Sequence, residues 1–254
     1  MTLTSNCFSF LFSSFFIFRR DLAIRFNRTF FGLIWFFISA LFLLILSIFI
    51  NISVSGVNDY SIIPLLFLKI IYWQLFTDSW NEPLRFQRRA KVFMRNSSMN
   101  VNLIPFAGLI SSAIIFLLRL VLFIFMGLYF DLEFNMNYSF LIIIFIYLSI
   151  IGYSLGLLLS STVILLNDVR YITPLIQLFL LLITPVFIVL NLPEYLNTLN
   201  PLFQSFINID LIVKSKNFIS NDYIYSIIII ILFFIFSSYV YNLTIKKSYR
   251  HLGL

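Results

Sequence analysis

The ten acidic residues of this chain all stand at the ends of its long apolar stretches or between them. They are Asp21, Asp59, Asp78, Glu82, Asp131, Glu133, Asp168, Glu194, Asp210 and Asp222. The stretches are long enough to cross a bilayer, whose core, about 30 Å thick, takes about 20 residues of helix. This arrangement predicts an all-α integral membrane protein. It also predicts no buried carboxylate of the kind an ion-driven pump uses, which places the energy source outside the chain.

Composition leaves little room for anything else. Of 254 residues, 61% are hydrophobic and 11% charged, against roughly 25% charged in a soluble domain. One transmembrane domain is expected over 1–254, with an interfacial helix at 10–30, spans within 31–245 and a cytoplasmic tail at 246–254. Cys7 is the single cysteine and His251 the single histidine, so neither an intrachain disulfide nor an ordinary metal centre is expected. Residues 1–18 are uncharged and precede Arg19 and Arg20. A secretory signal has the reverse order, so the segment reads as retained.

Six spans are expected. They are about Phe31–Val54; Ser61–Thr77, with Pro64 and Lys69; Val101–Phe130, with Pro105 and Arg119; Ser139–Leu166; the run between Arg170 and Glu194, with Pro174 and Pro185; and the run between Asp222 and Lys246. Tyr195–Ile209 is apolar, too short to cross and interrupted by Pro201, which suggests a re-entrant or interfacial element. With six spans, both termini and the second–third and fourth–fifth loops share one side. That side holds 13 of the 17 Lys and Arg, which makes it cytoplasmic. The net charge of +7 follows from this asymmetry and needs no nucleic acid.

Four features invite a functional reading, each beside a plainer one. Phe15, Phe18, Leu22, Phe26 and Phe30 recur at helical spacing, with Asp21, Arg25 and Arg28 in an opposite sector. That helix is either a simple interfacial anchor or a surface for a cytoplasmic partner. The loop Asp78–Asn100 is rich in Arg and either sets topology or offers a surface-parallel helix to a partner. Lys69 and Arg119 are expected inside the membrane with no carboxylate at their depth, at a cost of about 2.5–3.5 kcal/mol each. Either a tilted helix relieves them or at least one lines a hydrated path. Gly152 and Gly156 form a GxxxG pair that permits close helix approach, within the chain or between copies. No GxxxxGK[ST] phosphate loop occurs, so the chain does not bind ATP in that way.

Several blocks, in order, resemble the permease subunit of polysaccharide-exporting ABC transporters, the family that moves O-antigen, capsule or teichoic-acid chains. "RRDLAIRFNRTFFGLIWFFISALF" is similar to the family's charged entry to the first span, matched by Arg20, Asp21, Leu22, Arg25, Phe26, Thr29, Gly32 and Trp35. "YWQLFTDSWNE" matches a W-x-x-F piece with Trp73 and Phe76, and "LIPFAGLISSAIIFLL" resembles the start of the third span. Residues 152–188 match at Gly156, Asp168, Val169, Arg170, Tyr171, Pro174, Thr184, Pro185 and Val186, although Asn167 stands where the family usually has Arg. "LPEYLNTLNPLFQSF" supplies an L-N-P triplet at Leu199, Asn200 and Pro201.

The resemblance implies a second copy of the chain and two cytoplasmic ATP-binding subunits that carry ATP and magnesium, with no cofactor and no catalytic residue in this chain. It implies an ATPase-coupling surface at Arg20, Asp21, Arg25, Arg28, Arg88, Arg89, Lys91 and Arg95. A cytoplasmic brace falls at Asp168 and Arg170, and an outer gate at Leu199, Asn200 and Pro201. Candidates for the glycan path are Lys69, Tyr72, Trp73, Arg119 and Tyr147, with packing or lipid-facing aromatics as the alternative. An exporter of a drug or lipid with the same architecture remains open. An ion-coupled secondary transporter would want an intramembrane acid, and a membrane enzyme a cluster of His or carboxylates at one interface.

Overall fold

The computed structural model describes residues 2–26, 29, 31–55, 62–94, 101–132, 136–163, 165–166, 168–187, 200–213 and 221–251. Most of these residues are helical, with no strand among them. The helices are α1 (Thr2–Phe26), α2 (Trp35–Ser55), α3 (Ile63–Met94), α4 (Leu103–Tyr129), α5 (Leu141–Ser160), α6 (Val169–Ile183), α7 (Pro201–Val213) and α8 (Asn221–His251). Short 3₁₀ turns at Gly32–Ile34 and Met136–Phe140 lead into α2 and α5. Gly32 has φ +49°, a backbone conformation that favours glycine, and it sets the entry to α2.

Four segments are long and apolar enough to cross a membrane: Gly32–Ser53, Leu103–Tyr129, Tyr138–Ser160 and Ser226–Ile245. They correspond to the first, third, fourth and sixth expected spans. The second and fifth differ. The second was expected to stop at Thr77, but α3 runs on to Met94 with Pro83 inside it, so much of the expected loop continues the same helix. The fifth was expected to be unbroken between Arg170 and Glu194. Instead α6 has 15 residues and stops at Ile183, where Thr184 is extended and Pro185 follows. Residues 188–199 lie outside the described set.

Pro201 was expected to interrupt an apolar stretch and instead begins α7. The Asn200 side chain accepts from the Leu202 and Phe203 amides at 3.0 and 3.4 Å. Asn caps well, and Pro at the first helical position loses no helical hydrogen bond, because that amide has no partner in any helix.

The core is organised around α3. From Leu66 to Phe76 every residue is buried, Lys69 and Gln74 included. Helices α4 and α5 lie closest. A methyl group on Gly108 of α4 would sit 2.6 Å from the Pro83 nitrogen, and one on Gly156 of α5 would sit 2.8 Å from the Trp80 carbonyl. Gly152 abuts Phe76 and Ser79 in the same way. The GxxxG pair therefore serves packing within the chain.

Candidate functional site

Polar side chains radiate from α3 to most of its neighbours. Tyr72 donates to the Leu141 carbonyl at the start of α5 at 2.9 Å, and Ser79 to Ser112 of α4 at 3.1 Å. Asn81 donates to Gln177 of α6 at 3.1 Å, and Gln87 accepts from Tyr241 of α8 at 3.3 Å. A buried polar group without a partner costs roughly 1–3 kcal/mol, so each link is strongly favoured over its loss. Two charge clusters stand out among them.

The first joins α1 to α3. Glu82 is 4% exposed. Arg25 donates to its two oxygens at 3.1 and 2.9 Å, and Ser111 of α4 donates at 3.1 Å. Arg85 pairs with Glu82 one turn away and with Asp21 of α1 at 3.3 Å, while Arg25 reaches Asp21 at 3.4 Å. Two acids and two arginines leave the cluster neutral. Arg25 also lies over the Phe36 ring at 5.5 Å, and Phe18, Phe86, Ile104 and Ala107 form an apolar cluster that includes the same helices. This corrects the expected amphipathic pattern of the N-terminal helix. Asp21 is buried on the same inward side as Phe18, whereas Phe15 is exposed. The polar sector turns inward because Glu82 and Arg85 complete its charges.

The second cluster gives Lys69 a partner. Its ammonium donates to Asp210 Oδ2 on α7 at 2.8 Å and to the Pro185 carbonyl at 3.1 Å. The break after α6 frees that carbonyl, and Asn51 of α2 takes the Phe187 carbonyl at 3.2 Å. Arg119 likewise pairs with Asp78 at 2.6 Å and donates to the Phe36 carbonyl at 3.2 Å. Neither cation is uncompensated, which corrects the expectation from sequence. Asp78 and Asp210 were the missed residues. Asp78 falls inside α3 because that helix does not stop at Thr77. Asp210 enters because the short α7 packs into the bundle.

The remaining candidates separate in space. Tyr72 meets Phe116 edge-to-face with ring centres 5.0 Å apart, and Trp73 packs against Phe76 and Phe206 at 5.4 and 6.3 Å. The Tyr147 hydroxyl lies 2.8 Å from the Ser226 hydroxyl and 3.3 Å from the Pro201 carbonyl, with its single proton to share between them. All three rings are buried within this chain. Asp168 and Arg170 are exposed at the start of α6, with Arg170 over the Tyr171 ring at 5.5 Å. Arg20 is exposed and Arg88 half-buried. Arg89 and Lys91 belong to the last turns of α3. Arg28, Arg95 and Leu199 lie outside the described residues. No group of His, Cys, Asp and Glu that could hold a metal ion occurs among the described residues.

No protein-family model matches the chain, and no curated protein matches it.

Proposed function

We propose that this chain is the membrane-spanning permease subunit of an ATP-driven exporter of polysaccharide, working as a pair of copies in the cytoplasmic membrane with two separate ATP-binding subunits. The reading takes α3 and α6 as the second and fifth spans beside the four apolar ones, and puts both termini in the cytoplasm. The observation that supports it best is the Asp21–Arg25–Glu82–Arg85 cluster. It joins the two segments that the family resemblance marks as the coupling surface. A push delivered to α1 by a partner is passed directly to α3, and α3 is bonded to most of the bundle. A chain with no phosphate loop of its own then receives its working stroke from nucleotide bound in trans, because a ligand drives a change only by binding two states differently.

Export along α3 would part the packed rings of Tyr72, Trp73 and Tyr147 and expose their faces to sugar. The α7 helix, begun by Asn200 and Pro201, is the proposed outer gate. Asp168 and Arg170 are the proposed brace.

One observation favours a second reading. The Lys69–Asp210 pair beside the end of α6 has features of a coupling-ion site, namely a carboxylate and backbone carbonyls outside helical hydrogen bonding, although Lys69 now takes one of them. An ion-coupled transporter lost ground in the sequence for want of an intramembrane acid, and half-buried Asp210 against Lys69 weakens that objection.

Affinity purification from detergent separates the two. Recovery of a Walker-motif ATPase, together with ATP-dependent glycan movement in liposomes, supports the exporter. Full transport by the purified chain alone under an ion gradient overturns it.

A further inference from the structure

A pocket of about 170 Å³ opens between α3 and the first turn of α6. Its lining includes Asn81, Arg85 and Arg88 from α3, and Arg170 and Thr173 from α6, with apolar walls from Val163 and Val169. Three arginines thus line one small space, with no carboxylate among its described lining residues, and Arg85 is the one already paired with Glu82 and Asp21.

Three further features point the same way. The pocket lies at the N-terminus of a 15-residue helix, where amide donors and the helix dipole favour negative charge. Arg85 spends one terminal nitrogen on Glu82 and Asp21, but its Nε is buried without an acceptor. Gln177, one turn beyond Thr173 and bonded to Asn81 through its oxygen, has a buried Nε2 that is also without an acceptor. Buried donors without acceptors are costly, and here they sit beside a cationic pocket.

We propose that this pocket is a binding site for a phosphate-type anion, held by Arg88 and Arg170 with Arg85 behind them. Arginine suits the task, because its planar fork can grip two phosphate oxygens at once. The anion is either a phospholipid headgroup, its tail in the bilayer, or a free phosphate. The proposal goes beyond the transport reading and does not rest on it, since binding is measured on the purified chain with neither ATPase nor glycan present.

The test has two arms. In neutral detergent, inorganic phosphate is titrated against chloride at constant ionic strength and thermal unfolding is followed. In nanodiscs of phosphatidylcholine, phosphatidic acid is added and retained lipid is counted by native mass spectrometry. Arg170→Gln is the principal variant, since Arg170 is exposed and its one described contact is the Tyr171 ring. It is expected to weaken binding about tenfold or more, with Arg170→Lys in between and Arg88→Gln adding to the loss. Lys247→Gln, an exposed change far along α8, controls for general attraction to anionic lipid and is expected to have no effect. Binding in the first arm identifies a free anion, and binding in the second alone identifies a lipid headgroup. Binding in neither arm overturns the proposal, and so does equal binding by wild type, Arg170→Gln and Lys247→Gln.

Discussion

Helices α2 and α3 pose opposite problems. Helix α2 has no charged residue from Trp35 to Ser55 and buries a narrow stripe that includes Ala40, Leu44 and Ser47. Phe42, Ile45 and Phe49 face outward. Helix α3 carries Lys69, Asp78, Glu82 and Arg85, yet it is the helix the others surround. Low hydropathy therefore does not place a helix at the periphery. A helix facing hydrocarbon has nothing to bond with and must be apolar. A helix facing other helices can carry charge, provided each charge finds a partner.

Breaking the contact between α5 and α3 should have the largest effect. Gly152→Val would push a methyl group into the Phe76 carbonyl and the Ser79 side chain. The first obstacle is backbone, so the helices must separate. A loss of about 3 kcal/mol or more is expected, read as a lower midpoint in SDS titration from mixed micelles. A change under a third of that would mean that α3 is not clasped as described.

The α1–α3 cluster comes next. Glu82→Gln leaves Arg25 and Arg85 sharing Asp21 alone and the cluster at +1. Outright removal of a buried partner costs about 3–5 kcal/mol, and the partial exposure of both arginines and the retained amide reduce this to about 2 kcal/mol. Adding Arg85→Met restores neutrality through Asp21 and Arg25, so the double variant should lose clearly less than the sum of the singles. Strict additivity would show that the four groups do not act together.

This contrast between helices also explains what could be read from sequence. The spans around α2, α4, α5 and α8 were legible because each carries a local signal, a long apolar run with no charge or, in α4, with Arg119 alone. The GxxxG pair was legible as a motif, though its partner helix was not. Asp78 and Asp210 were not legible as partners, because pairing across 41 and 141 residues depends on how helices meet. The inward turn of Asp21 failed for the same reason. Helical spacing gives the angle between side chains, and only Glu82 and Arg85 decide which angle points into the protein.

A smaller effect is expected at α7, whose amphipathic start depends on one cap. Asn200→Ala deprives the Leu202 and Phe203 amides of their acceptor and should cost about 1 kcal/mol. Hydrogen exchange should locate the loss in the first turn of α7, with the Lys69–Asp210 contact preserved. Loosening that spread along α3 would make Asn200 part of the polar network around α3 and not a local cap.

The least costly substitution sharpens the comparison most. Phe49 on α2 is 68% exposed and Phe76 on α3 is fully buried, so one chemical change can be made in both settings. Phe76→Ala opens a cavity and should cost roughly 2–3 kcal/mol, below the usual value for a soluble core because the residue does not come from water. Phe49→Ala exchanges contact with lipid for contact with lipid and should stay within about 0.5 kcal/mol in bicelles. A loss at Phe49 approaching that at Phe76 would mean that this face of α2 is covered by protein. Dependence of that loss on protein concentration would then identify the cover as a second copy of the chain.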